Sequence, residues 1–461
     1  MEQLQNIISQ LSPVPGSGAI DAAALLQAHA ETAVTSIRYN PRKPVQEHFA
    51  AEQVPWCPEG RYLQERPVFT LDPLFHAGAY YVQEASSMFV YQAVKARMAA
   101  GAPIRVLDLC AAPGGKSSLL ASLLRDEDLL VANEVIQNRA GILAENLTRW
   151  GQMNTWVTNN DPRDFAKITG YFDVILVDAP CTGSGLWRKD PEALQEWSTE
   201  HVKLCSERQR RILSDISPAL KPGGLLIYAT CSYSVEENEQ VCDWLLSTEA
   251  FVPLEIPLEE DWNIVASQSP MHSASGYRFY PWKLKGEGFF LAAFQKKSDS
   301  IELLPEREKK SKKKGSLTQP ARRKDQVPDW SRFLDTSFIA IERGDLRCAI
   351  HPDHLADYEY LQPAVRWKKV GTALGKMAGR DHLPDHELAL SVHLSANLPS
   401  VSVDHEEALH FLKKEEIKRD LGLKGWHVLR HQGLALGWGK WMPGRMNNYL
   451  PKNLRIRMDL R

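Results

Sequence analysis

Two short stretches set a cysteine where its chemistry could be tuned. Asp178-Ala179-Pro180-Cys181 and Ala229-Thr230-Cys231-Ser232 each close an apolar run, and the first carries an acid three residues ahead of its thiol. A free thiol ionises near pH 8.5, so a nucleophilic cysteine needs activation by its surroundings (about one or more pH units). Two thiols and a carboxylate in one cleft could attack an electron-poor carbon, hand a proton to a ring and eliminate a product. The competing reading of a free cysteine is a small buried hydrophobe, and Cys205, Cys242 and Cys348 are read that way. A zinc deaminase also uses a Pro-Cys pair, but it needs PCxxC and HxE. Position 184 is Ser, so the second cysteine is missing and no metal site is expected.

A third stretch, CAAPGGK, comprises Cys110, Ala111, Ala112, Pro113, Gly114, Gly115 and Lys116. Its glycines allow a close backbone approach and a turn into a helix. It is neither GxxxxGK[ST], which would need Gly where Cys110 stands, nor GxGxxG. A phosphate-cradling NTPase is therefore disfavoured. Glu134 follows about 20 residues after Gly114, the separation of an acid that accepts ribose hydroxyls. Asp161, in the run Asn159-Asn160-Asp161, could meet an adenine amine or be a plain turn acid. Taken together, the glycines and acids point to an adenosine-containing cofactor.

These residues need strand ends to hold them. Ile104–Cys110, Leu129–Glu134, a short strand at Val157, Asp173–Ala179 and Gly224–Cys231 read as buried strands, with Phe289–Phe294 closing the sheet. Helical stretches alternate with them: Lys116–Leu124, Gln137–Trp150, 193–220 and Val235–Leu246. Pro222-Gly223-Gly224 is read as the stop of the third helix. In the Gln137–Trp150 helix, Ile142, Leu143, Leu147 and Trp150 are expected on the buried side. Such alternation gives an α/β doubly wound sheet, whose ligands sit at the carboxyl ends of its strands. Adjacent strands would place Cys181 and Cys231 in one cleft.

The chain has 461 residues, 43% apolar and 24% charged, an ordinary globular mix. Its longest apolar runs are strand-sized, short of the roughly 20 residues that span a bilayer. MEQLQNIISQ has neither a basic n-region nor an apolar h-region, so no secretory signal is expected. Seven cysteines without a CxxC favour a reducing, cytoplasmic compartment over a disulfide scaffold. The net charge of −2 conceals a split: residues 1–305 hold 26 Lys+Arg against 37 Asp+Glu, and residues 306–461 hold 29 against 20. A catalytic front and a polyanion-binding back are expected, chance clustering being the alternative. Glu306–Lys324, with nine basic and two acidic residues, cannot bury a core and reads as a linker.

DLCAAPGGKSS, DAPCTGSG and YATCSYSVEENE resemble the central motifs of the Nol1/Nop2/Sun family of RNA cytosine-5 methyltransferases. TSIRYNP (35–41), DPLFHAGAYYVQEASS (72–87) and GYRFYPWKLKGEGFF (276–290) are similar to that family's flanking motifs. VGTALGKMAGRDHLPDHELAL (370–390) and LGWGKWMPGRMNNYLPKNLR (436–455) resemble the tail of the bacterial small-subunit rRNA methyltransferases of the F type, which end in a PUA-like RNA-binding module. The resemblance covers nearly the whole chain. It implies a class I, Rossmann-like methyltransferase sheet (101–298) behind an N-terminal α+β RNA-binding subdomain (1–100). A basic linker (299–328) would lead to a C-terminal α+β region ending in a PUA-like β-barrel (329–461). It implies S-adenosyl-L-methionine as cofactor and cytosine of 16S rRNA in the small ribosomal subunit as substrate, with the protein acting as a monomer.

The chemistry fits two cysteines. C5 of cytosine is a poor nucleophile; a thiolate added at C6 makes it enamine-like, and C5 can then take the methyl group. Spacing does not say which cysteine attacks, since DNA cytosine-5 enzymes use the Pro-Cys thiol. The resemblance assigns attack to Cys231, product release to Cys181, and the N3/N4 edge of the base to Asp178. The cofactor would lie across Cys110–Lys116, Glu134, Asp161 and Asp178, with Arg139 either supporting the cofactor acid or standing on a helix surface. Arg366-Trp367-Lys368-Lys369, Lys376, Arg380, Trp438, Lys440, Trp441, Arg445 and Arg455 mix basic and aromatic side chains in a manner suited to RNA. Trp438 is expected to fill a barrel core instead. A chain ending near residue 305 is expected to keep its cofactor and lose RNA affinity. A tRNA substrate, or a non-catalytic ribosome-assembly factor with an idle cofactor pocket, are the alternatives.

Overall fold

The computed structural model describes residues 2–16, 18–46, 49–98, 101–298, 330–378, 381–417 and 421–459. The Glu306–Lys324 linker and Arg380 lie outside the described residues. The N-terminal strands β1 (Thr35–Tyr39), β2 (Ala51–Gln53), β3 (Gly60–Leu63) and β4 (Tyr80–Val82) form an antiparallel sheet in the order β2-β3-β1-β4. The central sheet begins with β5 (Arg105–Asp108), β6 (Leu129–Asn133), β7 (Thr155–Thr158), β8 (Phe172–Asp178) and β9 (Leu220–Thr230), all parallel. β10 (Phe251–Leu254), β11 (Val265–Gln268), β12 (Ser275–Phe279) and β13 (Phe289–Lys296) extend it antiparallel beyond β9.

Continuous apolar strands follow from burial on both faces. In β8, Val174 and Leu176 feed one core cluster, while Ile175 and Val177 feed the cluster on the opposite face. The strand order β9-β8-β5-β6-β7 places the chain reversal between β5 and β8, where a doubly wound sheet opens its ligand crevice.

Most predicted elements are present; the expected Val235–Leu246 helix is a short Val235–Glu237 turn followed by a helix at Glu239–Ser247, and three further differences stand out. Helix Gln137–Trp150 buries Ala140, Leu143, Leu147 and Trp150, whereas Ile142 is exposed. Ile142 sits one residue off the i, i+3, i+4 stripe and faces away from the sheet. The expected 193–220 helix is two, a short Pro191–Glu196 helix and, after a break at Trp197 and Ser198, a long one from Thr199 that ends early, at Ile216. Pro222-Gly223-Gly224 lies inside β9, and Gly223 takes φ +73°, so the triplet bends the strand rather than stopping the helix.

β14 (Ile339–Arg343), β15 (Leu346–Ile350), β17 (Thr372–Ala378) and β18 (Asp381–Pro384) make a third sheet. β19 (Ser400–Ser402), β20 (Gly425–His431), β21 (Leu434–Met442) and β22 (Arg445–Asn448) make a fourth. Between them, β16 (Trp367–Lys369) pairs antiparallel with β7 and becomes the edge of the central sheet. This changes the reading of the basic tail. Trp367 packs edge-on against Trp156, with ring centroids 5.4 Å apart. Lys369 is buried and pairs with Glu387 at 2.7 Å. Trp438 and Trp441 are buried, and Trp438 Nε1 donates to the Asp385 carbonyl. The four therefore serve packing rather than an open RNA surface, whereas Arg366, Lys368 and Arg445 are exposed. Arg105 also grips Asp357 at 2.8 Å, across the same junction. A chain ending near residue 305 would strip β16 from β7 and uncover Trp156, so its loss of RNA affinity would not isolate RNA binding.

A buried ion pair ties the closing hairpin to the site. Arg278 on β12 is 1% exposed; its guanidinium donates to both Glu239 oxygens, at 2.7 and 2.5 Å, and to the Tyr233 carbonyl at 2.9 Å. Breaking such a pair leaves a buried unpaired carboxylate, which costs about 3–5 kcal/mol. Arg278→Met is expected to lower the urea midpoint accordingly, and adding Glu239→Leu is expected to recover part of the loss.

Candidate active site

The cysteines sit where the strands predict. β8 ends at Asp178 and β9 at Thr230, in parallel register with Asp178 opposite Ala229, so the next residues of both strands share one crevice. Cys181 Sγ and Cys231 Sγ lie 3.0 Å apart, both free and half-buried. Two glycines press the loops together. The Gly185 amide donates to the Cys231 carbonyl, the Gly288 amide donates to the Gly185 carbonyl, and a Cβ on Gly185 would stand 2.3 Å from that Gly288's carbonyl oxygen.

The pair is electrically unequal. The Cys181 thiol is pushed well up by its hydrogen bond to Cys231, by burial, and by the charges of Cys231 and Glu237. Cys181 therefore keeps its proton. Lys116 Nζ lies 2.8 Å from Asp178 Oδ2 and stands over the Phe289 ring. Burial works against this ammonium, yet Asp178, Cys231 and Asp108 outweigh it and raise its pKa, so Lys116 stays charged beside the sulfurs.

A cavity of about 190 Å³ opens beside this group, lined by Asp108, Cys110, Ala111, Ala112, Pro113, Gly115, Lys116 and Asp178 and, from the N-terminal sheet, by Tyr81, Gln83 and Glu84. Gly114 starts the Gly115–Leu123 helix with φ +113°, a backbone angle that demands glycine, and Leu143 Cδ1 would stand 3.2 Å from an added Cβ. Asp108 is fully buried. Its Oδ2 accepts from Ser117, but Oδ1 has no hydrogen-bond partner. Burial pushes the Asp108 carboxyl up to about 7, helped by Asp178 and Glu134 and opposed by Ser117 and Lys116. An orphaned carboxylate oxygen lining a cavity fits a ligand that brings its own cationic donor. Cys110 is inert: burial and the surrounding acids push its thiol up.

The remaining predicted residues divide. Glu134 is buried, accepts from the Ile136 amide and stands 3.5 Å from Arg139; Arg139 also donates to the Ala112 carbonyl. Arg139 thus links the acid to the glycine loop. Asp161 accepts from the Arg163 amide, caps the short Pro162–Lys167 turn and does not line the cavity. Among the described residues no group of three His, Cys, Asp or Glu could hold a metal ion, and no helix is long and apolar enough to cross a membrane.

Sequence reasoning missed the residues that brace the site. Arg38 is 1% exposed, donates to Gln83, Ser118 and Ser122, and stacks over Trp150, fastening β1 to the cofactor-side helix. Glu84 receives the amides of Ser86, Ser87 and Glu287, joining the N-terminal sheet to the closing hairpin. No local signal marks either residue: each matters through how many segments its one side chain reaches.

The family model for 16S rRNA methyltransferase RsmB/F matches residues 100–295. Models for the N-terminal domain and the PUA domain of RsmF match residues 6–85 and 398–456. The ribosomal RNA small subunit methyltransferase F of Aeromonas salmonicida is 32% identical, over 87% of this chain and 85% of its own length. That of Aliivibrio fischeri is 29% identical, over 92% of this chain and 89% of its own. The crystal structure of a methyltransferase homolog protein from Pyrococcus horikoshii is 31% identical, covers 63% of this chain and 93% of its own, and superposes with a TM-score of 0.52.

Proposed function

Because this chain belongs to the ribosomal RNA small subunit methyltransferase F family, we propose that it methylates C5 of cytosine in 16S rRNA through a transient bond between Cys231 and C6. It is an S-adenosylmethionine-dependent RNA methyltransferase on a Rossmann-like sheet. The observation that carries the finer reading is the sulfur pair, 3.0 Å apart, beside Asp178 and Lys116.

The cofactor fits the cavity by chemistry. Its methionine ammonium suits the orphaned Asp108 carboxylate, and its adenosine suits the Cys110–Lys116 loop with Glu134 braced by Arg139. Asp161 is left as a secondary contact of that end. S-adenosylmethionine, when bound, supplies an electrophilic methyl group. The chain's residues do the rest. Cys231 adds as its thiolate to C6 of the flipped base, while Asp178 and Lys116 hold its polar edge. Forming the C6–S bond removes the sulfur charge that keeps the Cys181 proton in place. That proton goes to water, the freed Cys181 thiolate takes the C5 proton, and the C–H pair rebuilds C5=C6 as the bond to Cys231 breaks. The pair returns to its starting state, and one proton is released per turnover.

The small ribosomal subunit is the partner, reached through the N-terminal sheet and the exposed cations of the C-terminal sheets. Cytoplasmic action follows from that substrate. Bisulfite sequencing of 16S rRNA from cells with and without the protein tests the reading: a protected cytosine that disappears without it is expected, whereas loss confined to tRNA overturns it.

Asp108 yields its own expected result. Above about pH 7 its carboxyl is charged and can hold an ammonium; below, it is neutral and cannot. S-adenosylmethionine affinity is therefore expected to rise with pH across that value. Asp108→Asn, losing one charge-assisted contact, is expected to weaken binding by about 10–100-fold and to flatten the pH dependence, as read by titration calorimetry.

A further inference from the structure

We propose that Glu237 is the positioning residue of the cysteine pair, its buried carboxylate tying the Cys181 loop to the Cys231 loop and setting the sulfur–sulfur separation. The inference rests on the assignment of Cys231 and Cys181 above.

Glu237 lies on no predicted strand end and touches neither sulfur by a hydrogen bond. It is fully buried just beyond β9, in the Val235–Glu237 turn. Oε1 accepts from the Thr182 amide at 3.0 Å and from Gln209 Nε2 at 3.1 Å; Oε2 accepts from Thr182 Oγ1 and Ser232 Oγ, both at 2.5 Å. Thr182 is the residue after Cys181, and Ser232 the residue after Cys231. One carboxylate therefore receives a donor from the immediate neighbour of each thiol. Gln209 anchors it to the Thr199–Ile216 helix and also donates to the Pro180 carbonyl, on the other side of Cys181.

Burying an unpaired carboxylate is costly, and a structural brace could be built from neutral groups. Here four hydrogen bonds hold the charge, although burial still outweighs them and raises the Glu237 pKa. Its charge acts on Cys181, where it favours the protonated thiol, and so makes the thiolate a stronger base once Cys231 is bonded to C6. Other titratable groups face this region: Lys116 beside Cys231, Cys205 on the helix behind, and Tyr228 on β9 with Arg210 near it. Of these groups, Glu237 alone hydrogen-bonds to both loops.

Glu237→Gln keeps the shape but cannot accept from all of Thr182 and Ser232, and it removes the charge. We expect kcat to fall about 10–100-fold, with S-adenosylmethionine affinity and the KM for RNA unchanged. Iodoacetamide labelling, resolved by peptide mass spectrometry without RNA, is expected to show the Cys181 profile moving to lower pH. Thr182→Val removes one donor with little change of shape and is expected to act in the same direction, more weakly; it carries the test should Glu237→Gln not fold. A kcat and a Cys181 labelling profile that both match the parent chain overturn the proposal. Labelling of the parent chain checks the premise separately: Cys181 must react only at higher pH than an ordinary free thiol, and a Cys181 that labels as readily as a free thiol sinks the cysteine assignment, and Glu237's role with it, whatever the variants do.

Discussion

Cys231→Ala is expected to reduce methyl transfer to 16S rRNA by on the order of 10⁴-fold or more, the scale on which losing a covalent nucleophile is felt. The reason lies in the substrate. Without a sulfur on C6, C5 of cytosine has no enamine character and does not attack an electrophilic methyl group. The cavity beside Asp108 does not involve the Cys231 side chain, so S-adenosylmethionine affinity is expected to stay unchanged. Tritiated-methyl incorporation and calorimetry on the same preparation read the two quantities. Residual activity within tenfold of the parent chain would remove Cys231 from the covalent role.

Cys181→Ala is expected to give the opposite phenotype. Cys231 can still add to C6 and the methyl group can still be accepted, but no thiolate stands ready to take the C5 proton. Release is expected to slow by about 10²–10⁴-fold, the usual contribution of a positioned base. Methylated RNA should therefore remain attached, giving a protein–RNA band that survives denaturing electrophoresis and that the parent chain does not accumulate. The 3.0 Å contact makes this more than a count of cysteines. The hydrogen bond with Cys231 helps to hold the proton on Cys181, and that restraint goes once Cys231 is bonded. If the Cys181 variant turns over normally and the Cys231 variant traps RNA, the two roles are exchanged.

The sequence carried the central sheet well because its strands are buried on both faces, and such strands read as unbroken apolar runs. Asp173–Ala179 and Gly224–Cys231 were legible for that reason, and their ends located both sulfurs. The Gly114 turn was legible because only glycine adopts its backbone angle freely. Ile142 was misplaced because one residue of helical phase separates a buried position from an exposed one. Trp367 and Lys369 were misread for a different reason. Aromatic and basic residues in alternation look the same whether they face RNA or complete a sheet edge, and the pairing of β16 with β7 joins residues about 200 positions apart. Glu237, Arg38 and Glu84 were unreadable because their importance lies in how many loops one side chain reaches.

The claim on which the rest depends is a bond between the Cys231 sulfur and C6 of a cytosine. Tandem mass spectrometry of nuclease-digested adduct from Cys181→Ala tests it most directly. The expected result is a methylated cytidine nucleotide attached to the peptide at Cys231. A nucleotide on any other residue, or a variant that methylates 16S rRNA with no adduct at any time point, would contradict it.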